Sequence, residues 1–349
     1  MRYLLVGNYG VGNAGDEILR DYFLERFPKV DWRVCSANPQ EGELPRLPAG
    51  FRSFISMQWP VTLKELWKSE GIVFGGGTLF TDDESVKACW IWFIHAFFAV
   101  IFRKPVIMAY QGIGPFRTLF GGLFARFVVR HAVFISTRDT YSTECISLWK
   151  KNKEVVQSFD PSFLLLERDN LTYGTNNVFT FIPRYSTRWS LLLREKVASI
   201  LRELIARGWK VQILSLHPAD SRERELCNSL AKTLGAPLQF TSSLREAVSL
   251  IAGSVCVLSQ RYHSAVVALS GGIPFVALAL GTGDKLDALA RMCSCPSETL
   301  ESLSLESILE TDWGDKKEKV VSLRDQYVQL VEQGEEELRK ILRTYSKTV

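Results

Sequence analysis

Arg261, Tyr262 and His263 stand together where an apolar run, VCVLSQ, gives way to a small-residue helical pattern, SAVVALSGG. A guanidinium beside an imidazole at the carboxyl end of a buried strand is placed for contact with an anionic ligand and for proton transfer. Arg138 after AVFIST, Arg184 after VFTFIP and Lys285 after LALGTGD occupy equivalent positions, as does His217 after VQILSL. Several cations gathered from separate strand ends suit a small, multiply charged anion, because a single phosphate needs fewer and a nucleic acid needs a broad basic surface. Asp139 follows Arg138 directly, and two readings stay open: a bidentate partner that orients the guanidinium, or an ion pair that caps a helix.

Glycine-rich turns form the second group. In GNYGVGNAGDEIL (7–19), Gly7, Gly10, Gly12 and Gly15 allow tight turns and close backbone approach before a helix starting near Asp16. Gly10 and Asn13 are expected ligand contacts there. Asp16 and Glu17 are expected either to take a proton from an acceptor hydroxyl or simply to favour the helix start. The spacing is not GxGxxG, and no acidic residue closes the next strand, WRVCSANP, so a dinucleotide site fits poorly. In GIVFGGGTLFTDD (71–83), Gly75, Gly76 and Gly77 imply a ligand or a second backbone at close range. YQGIGPF (110–116) repeats the arrangement, with Gln111 as a hydrogen-bonding group. No cluster has metal-ligand spacing, so no metal and no cofactor are expected.

The elements that must position these groups alternate along the chain. Continuous apolar strands separated by helical patterns indicate parallel sheets covered on both faces. In 349 residues they imply two cores. The expected fold is α/β, GT-B type, with two doubly wound domains facing across a cleft: residues 1–170 on the acceptor side and 171–349 on the donor side. The linker is expected in DPSFLLLERDNLTYGTNN, and bracing surface helices toward the C-terminus. A net charge of +4 makes no demand for nucleic acid. Seven scattered cysteines without a CxxC pair, and a start lacking signal-peptide features, suggest a reducing, cytoplasmic setting. ACWIWFIHAFFAVIF (88–102) is shorter than the roughly 20 residues that span a bilayer and reads as a buried helix. Arginines interleaved with apolar residues in FRTLFGGLFARFVVR (116–130) keep open an interfacial membrane contact.

GNYGVGNAGDE, GGGTLF, YQGIGP, STRDTYS, DPSF and RYHSAVVALSGGIPFVAL, in this order, together resemble the polysaccharide pyruvyl transferase family. The resemblance implies phosphoenolpyruvate as donor and a sugar-bearing acceptor that receives a pyruvate ketal, while the aromatic run at 88–102 and its basic neighbour keep open an acceptor that is lipid-linked at the inner face of the cell membrane, beside a soluble one. It casts Arg138, Arg261 and His263 as donor-binding residues, His263 also as an acid or base, and Lys285 as a further match. Tyr262 stands where leucine is usual, which puts the shape of the donor pocket in question. Two other functions share this layout: a glycosyltransferase using a nucleotide sugar, and a glycan-binding protein without catalysis.

Overall fold

The computed structural model describes residues 1–48, 50–82, 85–149, 154–166, 177–279 and 285–346. It divides into two compact units, residues 1–164 with 327–349, and residues 165–326. The second domain therefore does not run to the C-terminus as the sequence suggests: Tyr327–Val349 belong with the first unit. Most of the expected linker, residues 167–176, lies outside the described residues, as do Asp83 and the segment 280–284 before Lys285.

In the first unit the elements run β1 (Arg2–Val6), α1 (Ala14–Arg26), β2 (Asp31–Ser36), β3 (Leu44–Pro45), α2 (Phe51–Ile55), α3 (Pro60–Lys68), β4 (Gly71–Phe80) and α4 (Val86–Ile101). They continue with β5 (Val106–Ile113), α5 (Leu119–His131), β6 (Ala132–Thr137), α6 (Thr140–Trp149), β7 (Val156–Gln157) and α7 (Phe163–Leu166). The sheet order is β3-β2-β1-β4-β5-β6-β7, every pair parallel. β5 is buried along its whole length and β4 almost so, which is why both read as unbroken apolar runs.

The second unit follows with β8 (Val178–Ile182), α8 (Leu191–Ala206), β9 (Lys210–Ser215), α9 (Ser221–Leu234), β10 (Leu238–Phe240), α10 (Leu244–Ile251) and β11 (Ser254–Ser259). Then come α11 (Tyr262–Ser270), β12 (Phe275–Ala279), α12 (Lys285–Met292), β13 (Ser297–Thr299), α13 (Leu305–Leu309) and the long α14 (Trp313–Ser346). Its sheet order is β10-β9-β8-β11-β12-β13, again all parallel. The order reverses beside β1 and β4 in one sheet and beside β8 and β11 in the other. Such switch points open a crevice at the strand ends, where ligands bind in doubly wound sheets. The short strands β3, β7 and β13 carry too few residues for a sequence pattern.

The last part of α14 is held by the first unit. Glu335 accepts hydrogen bonds from Tyr22 at 3.0 Å and Arg26 at 2.9 Å, Tyr3 donates to the Leu342 carbonyl at 3.0 Å, and Tyr327 stacks on Phe159 at 4.0 Å. These partners, most of them buried, give the helix its place. α4 buries Cys89, Trp92, His95, Ala96 and Ala99 and leaves Phe97 and Ile101 exposed, so it is amphipathic rather than fully buried. Among the described residues no helix is long and apolar enough to cross a membrane.

Candidate functional site

The first unit assembles its groups at the β1/β4 switch. Asn13 caps α1 by accepting from the Gly15 amide at 3.2 Å. Its own amide nitrogen donates to Asp16 Oδ2 at 2.8 Å, and Asn8 donates to the same oxygen at 2.9 Å. Glu17 accepts from the Gly10 amide at 2.8 Å and pairs with Arg20 at 2.9 Å. Glu17 therefore closes the glycine loop onto the helix, while Asp16 is a buried carboxylate set among amide donors. Arg46, absent from the sequence reading, donates to the Gly7 carbonyl, the Asn8 side chain and the Tyr9 carbonyl at 3.1, 3.3 and 2.8 Å, and lies over Trp92. Burial pulls its pKa down, and its Nε is buried with no hydrogen-bond partner.

The three glycines of β4 do different things. The strand continues through them rather than turning. A Cβ on Gly75 would lie 2.2 Å from the Tyr9 hydroxyl, which donates to the Gly75 carbonyl at 2.9 Å, so close packing by the protein itself fills that space. Gly76 and Gly77 have φ of 85° and 84°, a left-handed backbone that side chains resist, and the Gly77 Cβ position is 3.6 Å from Asp16 Oδ1. On β5, Tyr110 at φ 54° accompanies an interruption of the register with β6 between Met108 and Gln111. Gln111 is completely buried, with its amide nitrogen on the Phe74 and Ala109 carbonyls at 3.0 Å each. Its Oε1 has no hydrogen-bond partner, an uncommon cost for a buried acceptor.

Arg138 is 2% exposed. It donates to Asp160 at 3.0 Å and to Thr78 at 2.5 Å, and the Cβ position of Gly112 is 3.1 Å from its Nε. Its partner is thus Asp160 of the DPSF motif. Asp139 instead holds the start of α6, accepting from the Ser142 amide at 2.7 Å. Of the two readings of the RD pair, neither describes the geometry, because adjacent side chains at a strand end diverge and the carboxylate that meets the guanidinium comes from the next loop.

The second unit gathers its groups at the β8/β11 switch. Arg261 is the residue before α11, and its carbonyl accepts from the hydroxyls of Ser259 and Ser264 at 2.8 and 2.7 Å. Its side chain reaches Glu223, a carboxylate 1% exposed in the first turn of α9 that also accepts from Ser215 at 3.0 Å. Gln260, 3% exposed, accepts from the Arg184 amide at 2.9 Å and so ties the end of β11 to the end of β8. Sequence reasoning missed both Glu223 and Gln260; each is a polar residue held almost wholly inside, a property that composition does not reveal.

Tyr262 packs edge-on to His263 with ring centroids 5.4 Å apart, and the Lys285 ammonium lies 5.7 Å from the Tyr262 ring centre. The structure thus joins Arg184, Arg261, Tyr262, His263 and Lys285 within one unit and holds Asp16, Glu17, Gly10, Asn13, Gly77 and Arg138 within the other. His217 lies near the same β9 strand end as Ser215, its amide donating to that hydroxyl at 3.4 Å.

A family model described as polysaccharide pyruvyl transferase matches residues 13–282. The amylovoran biosynthesis protein AmsJ of Erwinia amylovora is 23% identical, the match covering 80% of this chain and 83% of AmsJ. Among solved structures, a UDP-GlcNAc 2-epimerase from Neisseria meningitidis bound to UDP-GlcNAc is similar with a TM-score of 0.65 at 12% identity, covering 99% and 100% of the two chains. MnaA of S. aureus with UDP gives 0.63 at 12%, covering 100% and 97%, and MurG of Acinetobacter baumannii 0.57 at 9%, covering 97% and 99%. At such identities these likenesses concern the fold alone, which is of GT-B type.

Proposed function

The chain belongs to the polysaccharide pyruvyl transferase family, and on that premise we propose that it transfers the pyruvyl group of phosphoenolpyruvate to a sugar of a cell-envelope polysaccharide or its precursor, forming a cyclic ketal. The observation that carries this reading is the RYH segment inside the family match, set at the β8/β11 switch with Arg184 and Lys285 at neighbouring strand ends. Phosphoenolpyruvate carries a carboxylate and a phosphate, and fixed guanidinium and ammonium groups suit both.

The reaction moves a proton onto the methylene carbon, which becomes a methyl group and leaves a cationic centre at the neighbouring carbon. One sugar hydroxyl adds there, the carbon–oxygen bond to phosphate breaks, and a second hydroxyl closes the ketal. Of the two hydroxyl protons, one is made up on the methyl carbon and the other leaves with the phosphate. His263 is assigned the proton on the donor side, as acid to the methylene carbon or to the departing phosphate. Arg184, Arg261 and Lys285 are assigned the donor's anionic groups, with the Tyr262 ring shaping the site beside Lys285.

Asp16 is assigned the acceptor hydroxyl, with Gly10, Asn13, Gly76 and Gly77 supplying backbone and amide contacts to sugar. Glu17 and Gly75 serve the shape of the loop and strand. Arg138, already engaged by Asp160 and Thr78, acts as a positioning residue for the ends of β4 and β6. The acceptor is assigned as lipid-linked, presented at the cytoplasmic face of the membrane. No metal or cofactor is assigned a role.

The test is isotopic. Label from phosphoenolpyruvate should enter the glycan with release of one phosphate, and His263→Ala should lower kcat by about 10²–10⁴-fold in a protein that still folds. Dependence on a nucleotide sugar, or full activity in the His263 variant, would overturn the assignment.

A further inference from the structure

We propose that the first unit docks on an anionic phospholipid bilayer through an apolar patch made by α2, the turn that follows it, and the amino-terminal halves of α4 and α5. Leu119 is 86% exposed and Phe120 65% at the start of α5, with Leu123 one turn further on; Phe51 is 79% exposed on α2, followed by Phe54, Ile55 and Met57. Large apolar side chains held this far into solvent are uncommon on a soluble surface unless something covers them.

α4 and α5 pack against each other. Phe120 meets Phe124 at 6.5 Å between ring centres, and Phe124 meets Trp90 and Phe93 of α4 at 5.2 and 4.9 Å. Lys87, in the first turn of α4, approaches the start of α2, where a Cβ on Gly50 would lie 3.9 Å from its Nζ. Asp82 fixes the presentation of α5: it accepts from the amides of Arg117 and Thr118 at 2.6 and 2.8 Å, and Thr118 in turn caps the helix.

Charge selects the occupant. Lys87, Arg117, Arg126 and Arg130 are exposed, while the sequences of α2, α4 and α5 contain no carboxylate, and Asp82 is 4% exposed and turned to backbone amides. Asp83 and Glu84 lie outside the described residues. Apolar side chains flanked by cations in helices too short to span suit an interfacial position in a bilayer that carries negative headgroups. α4 and α5 begin after the carboxyl ends of β4 and β5, the edge that carries Gly76, Gly77 and Gln111. Docking there gives a lipid-linked acceptor its surface; the purpose rests on that reading, but the binding does not.

Purified full-length protein is sedimented with vesicles of phosphatidylcholine alone and of phosphatidylcholine with phosphatidylglycerol, and sized by analytical ultracentrifugation without lipid. Binding should favour the anionic vesicles by about tenfold or more and weaken with salt. The pairs Phe120→Ser with Leu123→Ser, and Lys87→Glu with Arg117→Glu, should each lower it about tenfold with unchanged circular dichroism. Equal binding to both vesicles, no binding, or unaltered binding by both variant pairs overturns the proposal, as does a dimer dissolved by the serine pair. Transfer to a soluble acceptor should persist in these variants. A protein that binds vesicles but takes no label from phosphoenolpyruvate refutes the donor assignment and leaves the docking surface standing.

Discussion

At the scale of single residues, the ion pair between Arg261 and Glu223 sets the end of β11 in the second unit. Glu223 is nearly inaccessible and serves Ser215 as well, so it holds the guanidinium in one orientation at the strand end. Glu223→Gln should cost about 1–3 kcal/mol in urea unfolding, because a neutral amide satisfies the buried donors less well. Gly75→Ala should cost about 1–3 kcal/mol as well, since the new carbon would overlap the Tyr9 hydroxyl at 2.2 Å and Leu5 at 2.7 Å. The same measurement checks both. Sequence alone marks Gly75 as a place where naked backbone is needed; it does not say that the Tyr9 ring, rather than a ligand, takes the space, because a side chain's direction across a sheet is a tertiary property.

Among elements, α4 shows how one buried histidine sets a pH window. His95 Nδ1 meets the Ile91 carbonyl at 2.8 Å and Nε2 accepts from the Leu47 amide at 3.1 Å, next to the residue Arg46 that grips the glycine loop. Burial is the main cause that lowers its pKa from 6.5 to about 4, with the Arg46 charge adding to it and the Ile91 bond opposing. The unfolded chain therefore takes up a proton that the folded chain refuses between these two values. Stability from this group is complete above about pH 6.5 and falls by about 3 kcal/mol as pH drops to about 4. Urea titrations across this range should show that slope, and His95→Gln should flatten it whatever its effect at neutral pH. The helix itself was legible from its apolar run; the neutral state of its histidine was not, because the Leu47 amide comes from 48 residues away.

For the whole molecule, the chain's return to its first unit is decisive. Burial raises the Glu335 pKa, but hydrogen bonds and charge from Arg26 and Arg339, with the Tyr22 hydroxyl, outweigh it and leave the carboxyl below its usual range. The stability it contributes is present above the unfolded carboxylate value of about 4.3 and is lost as pH falls through the lower folded value. This limb starts near the acid end of the His95 window and continues below it, so most of its slope appears after the His95 slope is spent. Glu335→Gln should shrink the lower limb, which Asp82 and other carboxylates held below their usual range share, and cost about 1–3 kcal/mol at neutral pH in thermal or urea unfolding. What the sequence determined by itself was the alternation of buried parallel strands with helices and the GT-B type architecture, because apolar periodicity and glycine punctuation are local signals. Only the tertiary structure decided that Arg138 answers to Asp160, that Arg261 answers to Glu223 and that the last helix rejoins the first unit, since each depends on which distant groups share one desolvated space.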